Sequence, residues 1–221
     1  MPKQSLVIGV GQFGGALARG LAEQGSEVLA VDSDESAIRR VLPHVADAIV
    51  MDAADEEALR SLCPQDREVC ICALGENDRE GSIMVTAMLR QMDAPQIVAR
   101  ATDDLHARVL RMVGAHEVVQ PERDYGERLA KRLVWNGVFR VLPLGGELIL
   151  TELDVPEAFW GQTLAELRLP ERFNAVVAAH RRDGEDETQL ALCDPHRPLQ
   201  RGDSLVLVSS ETNVRKLSEL C

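Results

Sequence analysis

The feature that most constrains this chain is a glycine pattern held between two different kinds of segment. Leu6-Val7-Ile8 is a short apolar run, followed at once by Gly9-Val10-Gly11-Gln12-Phe13-Gly14 and then by the helix-like Gly15-Ala16-Leu17-Ala18. This is G-x-G-x-x-G set between a buried strand and a helix, the context that makes the pattern a phosphate-binding turn. Gly9 permits the tight turn, Gly11 lets the backbone approach a phosphate, and Gly14 lets the helix lie close to the sheet. The helix start adds free N–H groups and a partial positive charge. Glu27-Val28-Leu29-Ala30-Val31 then ends in Asp32, at the distance from the glycines where a carboxylate accepts hydrogen bonds from an adenosine ribose.

The rest of the first half keeps a regular beat. Strands are expected at Leu6–Val10, Glu27–Val31, Ala48–Met51, Val69–Ala73, Gln96–Ala101 and Glu117–Val119. Helical patterns over 12–24, 34–43, 55–62, 77–92 and 103–113 fall between them. Ser33-Asp34 reads as the cap of the second helix and Gly25 as the stop of the first. Glu76-Asn77-Asp78 reads as the cap of the fourth helix rather than as catalytic carboxylates. Strands separated by single helices make a doubly wound parallel sheet covered on both faces, of Rossmann-like α/β class. Right-handed crossovers put the glycine turn at the point where strand order reverses, where such sheets bind ligands.

An amphipathic stretch from Pro121 to Asn136 follows, with Leu129, Leu133 and Val134 among Arg128, Lys131 and Arg132, and Gly137 closes it. Beyond Val138 the segments are short and broken by turns. Strands are expected at Glu147–Leu153, Ala175–His180, Gln189–Leu192 and Ser204–Val208, and short helices at Thr163–Leu167 and Glu211–Leu220. Arg182–Glu187 forms a polar hairpin tip around Asp183-Gly184. The expected organisation is a nucleotide-binding domain over 1–120, a linker helix over 121–137 and a small α+β domain over 138–221. So small a second unit has a marginal core, which argues for burying a face against a partner.

Composition removes several classes of function. With 36 acidic against 24 basic residues, the formal net charge is −12, and aromatics are 3% of the chain. Such a surface repels nucleic acid and offers few platforms for bases, so no nucleic-acid partner is expected. No run of apolar residues is long enough to span a bilayer, and no signal-like segment precedes the first strand, so a cytoplasmic chain is expected. The cysteines include no C-x-x-C, and Cys70-Ile71-Cys72 reads as buried strand rather than as a zinc site. Neither G-x-S-x-G nor G-x-x-x-x-G-K-S/T occurs, and the histidines form no recognisable acid–base constellation. The chain reads as a non-enzyme. An NAD-dependent oxidoreductase or a redox-sensing protein of the same fold is the alternative.

Together these segments resemble the RCK (regulator of potassium conductance) family, the nucleotide-binding subunits of Trk/Ktr-type potassium uptake systems. The resemblance rests on residues 7–15 and 27–32, on Ala53-Ala54-Asp55, Val113-Gly114-Ala115 and Val118-Val119-Gln120-Pro121-Glu122. Late in the chain it rests on Leu199-Gln200-Arg201-Gly202-Asp203-Ser204-Leu205-Val206-Leu207. It implies a site made by Gly9, Gly11, Gln12, Phe13 and Gly14 at the phosphates, and by Asp32 with Ser33 at the ribose. Asp52 and Ala53 border the adenine, Ala73, Leu74 and Gly75 close the cleft, and Arg100 approaches the phosphates. Glu122 stands where some relatives place a divalent-cation ligand. The implied cofactor is an adenine nucleotide, ATP/ADP or NAD/NADH, together with a divalent cation. The implied assembly is a homodimer that exchanges the 121–136 helix and builds a ring beneath a membrane potassium pore or transporter, at the inner face of the cell membrane. One position departs from the Ktr-type pattern. Gln12 replaces the common arginine, and a neutral amide does not offset the charge of an added phosphate.

Overall fold

The structure is a computed structural model describing residues 2–75, 78–185 and 189–221. The chain divides into two compact units, Met1–Arg123 and Asp124–Cys221.

In the first unit six strands, β1 (Gln4–Ile8), β2 (Glu27–Asp32), β3 (Asp47–Val50), β4 (Val69–Cys72), β5 (Ile97–Arg100) and β6 (Glu117–Val119), form one sheet in the order β3-β2-β1-β4-β5-β6. Every pairing in it is parallel. The connections carry α1 (Gln12–Glu23), α2 (Glu35–Val41), α3 (Glu56–Ser61), α4 (Arg79–Gln91) and α5 (Asp104–Met112). Alternation along each strand feeds two cores. Leu6 and Ile8 pack with Leu59, Val85, Leu89 and Leu110 of α3, α4 and α5. Val7 faces the other way, toward Ala18 of α1 and Ala37, Ile38 and Val41 of α2. Cys70 and Cys72 share the first core, Ile71 the second. Burial pushes the Cys70 thiol up to about 12 and the Cys72 thiol up to about 11, as befits inert core side chains.

The strand ends sit within two residues of the expected ones. Asp34 caps α2 by accepting from the Ser36 N–H, and Gly25 takes φ +88 just past α1. Asp78 caps α4 through the Gly81 N–H at 3.0 Å. Glu76 and Asn77, read with it as a cap, lie outside the described residues.

The helix α6 (Pro121–Val134) starts in the first unit and continues in the second. There, β7 (Val138–Gly145), β8 (Leu148–Asp154), β9 (Val176–Arg181), β10 (Ala191–Leu192) and β11 (Ser204–Ser210) make an antiparallel sheet in the order β10-β9-β11-β8-β7. Its inner face sets Ile149, Leu153, Leu205 and Leu207 against Val214 and Leu217 of α9 (Glu211–Ser218) and against α7 (Leu164–Leu167) and α8 (Leu169–Phe173). On the opposite face Glu152 is buried, held by Arg181 at 2.8 Å, Arg140 at 3.5 Å and the Ser204 hydroxyl at 3.1 Å. Beside this cluster Leu142, Leu150, Val208 and Val176 lie in one cross-strand row.

Three features of this unit differ from the sequence reading. The strand β7 was not expected: Pro143 and a largely exposed pattern conceal it. The helix expected at Thr163–Leu167 is followed by a second one, because Arg168 adopts φ +45 and Pro170 restarts the coil. The strand expected over 189–192 narrows to two residues. At the hairpin tip Gly184 takes φ +79 and the Glu185 N–H bonds to the Arg182 carbonyl, while residues 186–187 of the tip lie outside the described ones.

Candidate functional site

The glycine turn follows β1 directly. Gly9 has φ +86, and its N–H bonds to the Val31 carbonyl at 2.8 Å, which ties the turn to β2. A Cβ on Gly14 would land on the Gly9 carbonyl oxygen and 3.0 Å from the Ala73 Cβ, so α1 approaches the sheet as closely as backbones allow. At Gly11 the environment is the reverse. A Cβ there would meet nothing within 4 Å. Gly11 also caps α1 without a side chain, and no acidic residue stands in the first turn. The backbone at Gly11 is thus open to close approach, and the start of α1 carries neither a capping side chain nor an acidic residue in its first turn.

Asp32, at the end of β2, is the acidic wall of this space. Its Oδ2 accepts from the Val10 N–H at 2.7 Å and its Oδ1 from the Asp34 N–H at 2.8 Å. One carboxylate therefore holds the glycine turn and the β2–α2 loop in fixed relation. Ser33 is exposed beside it. Asp52, after β3, is exposed and accepts from the Ala54 N–H at 2.9 Å, while Ala53 is buried in the core below. Ala73 bonds through its N–H to the Ile8 carbonyl at 2.7 Å, and Leu74 and Gly75 follow it at the rim.

Arg100 ends β5. Its guanidinium lies over the Phe13 ring at 5.6 Å and donates to Glu122 Oε1 at 2.5 Å. Parallel strands all point the same way, so the residues following β1 to β4 and the last residue of β5 gather along one sheet edge. Gln12 opens α1 on this edge, and its neutral side chain supplies no charge. The residues fit an adenine nucleotide: an unobstructed backbone at Gly11 and an uncapped helix start for phosphate, and the Asp32 carboxylate for the ribose hydroxyls.

They do not form a cation site within one chain. Among the described residues no three His, Cys, Asp or Glu side chains come together as donors, and one oxygen of Glu122 already serves Arg100. A single carboxylate provides too few oxygens for calcium or magnesium.

A buried network next to the site was not legible beforehand. His106 of α5 is 1% exposed, and its Nε2–H donates to the Ser82 hydroxyl at 2.8 Å. That hydroxyl donates in turn to the Arg79 carbonyl, and His106 Nδ1 accepts from the Thr102 N–H at 3.3 Å. Burial, with the Arg79 charge adding to it, holds the imidazole below its ordinary range. The neutral ring pins α4 to α5 just beyond the ends of β4 and β5. No helix among the described residues is long and apolar enough to cross a membrane.

Comparison with known proteins agrees with this geometry. The TrkA-N domain matches residues 5–121 and the TrkA-C domain residues 148–221. The chain is 31% identical over 219 residues to the Ktr system potassium uptake protein C of Bacillus subtilis, covering 99% of this chain and 97% of that protein. It is 32% identical over 219 residues to the Ktr system potassium uptake protein A of Vibrio alginolyticus, covering 99% and 98%. Among solved structures the GsuK RCK domain covers the whole chain with a TM-score of 0.69 at 20% identity. The GsuK channel bound to NAD covers it with a TM-score of 0.69 at 19% identity. This chain spans 48% and 39% of those two chains, and at such identities the likeness concerns the fold. A parallel glycine-turn unit followed by a small antiparallel one, matched along nearly its full length, makes this chain a member of the TrkA/RCK family of Ktr-type potassium uptake proteins.

Proposed function

We propose that this chain is the nucleotide-binding regulatory subunit of a membrane potassium uptake system and not an enzyme. The observation that carries the reading is the unobstructed backbone at Gly11, in a turn that Asp32 holds through the Val10 N–H and whose Phe13 stacks under Arg100, in a chain whose relatives of almost equal length are potassium uptake proteins. Gly9, Gly11, Gln12, Phe13 and Gly14 hold the phosphates, Asp32 and Ser33 the ribose, Asp52 and Ala53 the adenine. Ala73, Leu74 and Gly75 line the far wall.

In this reading two chains pair through the segment 121–137, between domains over 1–120 and 138–221. The pairs build a ring under a pore protein at the inner face of the membrane. Nucleotides move the gate only through different affinities for its open and closed states. ATP, ADP and NAD all carry the ribose that Asp32 receives, whereas the 2′-phosphate of NADP meets its charge. The NAD-bound GsuK channel supports keeping NAD among the candidates.

Calorimetric titration of the full chain with ATP, ADP, NAD and NADH tests the site, and potassium flux in vesicles holding the chain with its pore protein tests the role. Adenine-nucleotide binding with nucleotide-dependent flux is expected. No binding at millimolar nucleotide, or flux indifferent to every nucleotide, sinks the proposal.

A further inference from the structure

The second unit carries a cation-rich cleft that the glycine turn does not share. From Arg128 to Gly146 the sequence has no acidic residue, although the chain as a whole has a net charge of −12. Folding gathers the arginines of that stretch. Tyr125, Arg128 and Arg132 fall at i, i+3 and i+7 on one face of α6, and with Phe139 and Arg140 of β7 they line a cleft of about 170 Å³. All of it lies within the second unit. Neither Arg128 nor Arg132 makes an ion pair among the described residues, whereas Lys131 between them pairs with Glu211 at 2.6 Å. A further guanidinium, that of Arg181, stacks on the Phe139 ring at 5.7 Å. The buried Glu152 serves Arg181 at 2.8 Å and Arg140 at 3.5 Å, which leaves the charges of Arg128 and Arg132 uncompensated. Asp124 and Glu127 do not line the cleft. Exposed charges more than about 8 Å away are screened at physiological salt, so the acidic remainder of the chain does not cancel this local field.

We propose that this cleft binds a small phosphomonoester carried on a single ring. Arg128 and Arg132 hold the phosphate, and Tyr125 and Phe139 hold the ring. Planar guanidinium forks match phosphate oxygens two at a time, and a dianion relieves the repulsion between neighbouring arginines. Aromatic side chains receive a flat ring by offset or edge-on contact. A cavity of about 150 Å³ already takes benzene, so this cleft admits one ring and leaves a dinucleotide outside. A ligand bridging α6 and β7 clamps the helix to the strand. Leu133 and Val134, 73% and 75% exposed and outside the cleft, remain for the pairing of chains through this helix. The inference does not depend on what occupies the glycine turn.

Tyr125 is the single tyrosine of the chain, so it reports on this cleft alone. The full chain labelled with fluorotyrosine is titrated by fluorine NMR with phenyl phosphate, and separately with inorganic phosphate and with phenol. The Tyr125 resonance is expected to shift saturably with phenyl phosphate, at about tenfold lower concentration than with inorganic phosphate, and not with phenol. Arg128→Gln and Arg132→Gln should each weaken phenyl phosphate about tenfold, the loss of a charge-assisted bond, and Arg132→Lys should restore part of that loss. Phe139→Leu should remove the advantage of phenyl phosphate and leave inorganic phosphate unchanged. Thermal unfolding of each variant separates lost binding from lost folding, and the three ligands on the wild-type chain decide the matter without any variant. No saturable shift at millimolar phenyl phosphate, a shift equal with phenol, or binding that survives both arginine-to-glutamine changes overturns the proposal and leaves the nucleotide-binding reading untouched.

Discussion

Two glycines of the same turn should fail in opposite ways. A Cβ on Gly14 has no place to go, because it meets the Gly9 carbonyl oxygen and lies 3.0 Å from the Ala73 Cβ. Neither neighbour is the far end of a flexible chain, so Gly14→Ala must push α1 away from β1. Overpacking of this kind costs about 1–3 kcal/mol, which for a unit of this size lowers Tm by roughly 3–15 °C. Gly11 has φ −62, ordinary for any residue, and a Cβ there meets nothing within 4 Å. Gly11→Ala therefore leaves the fold within about 1 kcal/mol of wild type, the usual range for an N-cap change. It places a methyl group where a phosphate is expected, and binding should weaken at least about tenfold, some 1.4 kcal/mol. Thermal unfolding and calorimetry with ADP on both variants separate the two effects. A Gly14→Ala chain as stable as wild type would refute the close-packing argument. A Gly11→Ala chain that binds ADP normally would show that the ligand does not approach this backbone.

Three further outcomes are expected. His106 is neutral in the fold with its pKa below the ordinary value of about 6.5, so the unfolded chain takes up its proton first. Stability is therefore complete above about pH 6.5 and declines as pH falls toward the lower folded value. His106→Gln should flatten that slope in urea melts, and an unchanged slope refutes the assignment. Glu152→Ala strands Arg181 and should destabilise the second unit by about 3 kcal/mol, the low end for a buried pair because Arg140 is 55% exposed. Wild-type stability of that variant would show that solvent replaces the pair without loss. The Cys70 and Cys72 thiols, pushed up to about 12 and about 11, should resist Ellman's reagent in the native chain and react on unfolding. Rapid native labelling of either contradicts their burial.

The first unit was legible because each local signal agrees with the sheet it enters. Apolar runs such as Leu6-Val7-Ile8 and Val28-Leu29-Ala30-Val31 are strands buried on both faces, punctuated by Gly9 and Gly25. The second unit was less so. The alternation that marks a strand needs one dry face, and β7 has Phe139, Leu142 and Leu144 exposed with Pro143 among them. At the site, the glycines and Asp32 follow from spacing alone. The Arg100–Glu122 pair does not, since only the sheet brings the end of β5 to the start of α6. The His106 network was hidden for the same reason: Ser82, Thr102 and His106 share no local pattern and meet only after folding.

The borders of the second sheet decide how copies of this chain can meet. On one border β7 offers Pro143, which has no N–H to give, and shifts register against β8 on both sides of its middle. On the other, β10 pairs over only two described residues. Neither margin presents an even ladder of free backbone groups for another strand to extend. Chains crowded together are thereby steered away from endless ribbon growth, and any contact through this sheet is left to side chains on its surface.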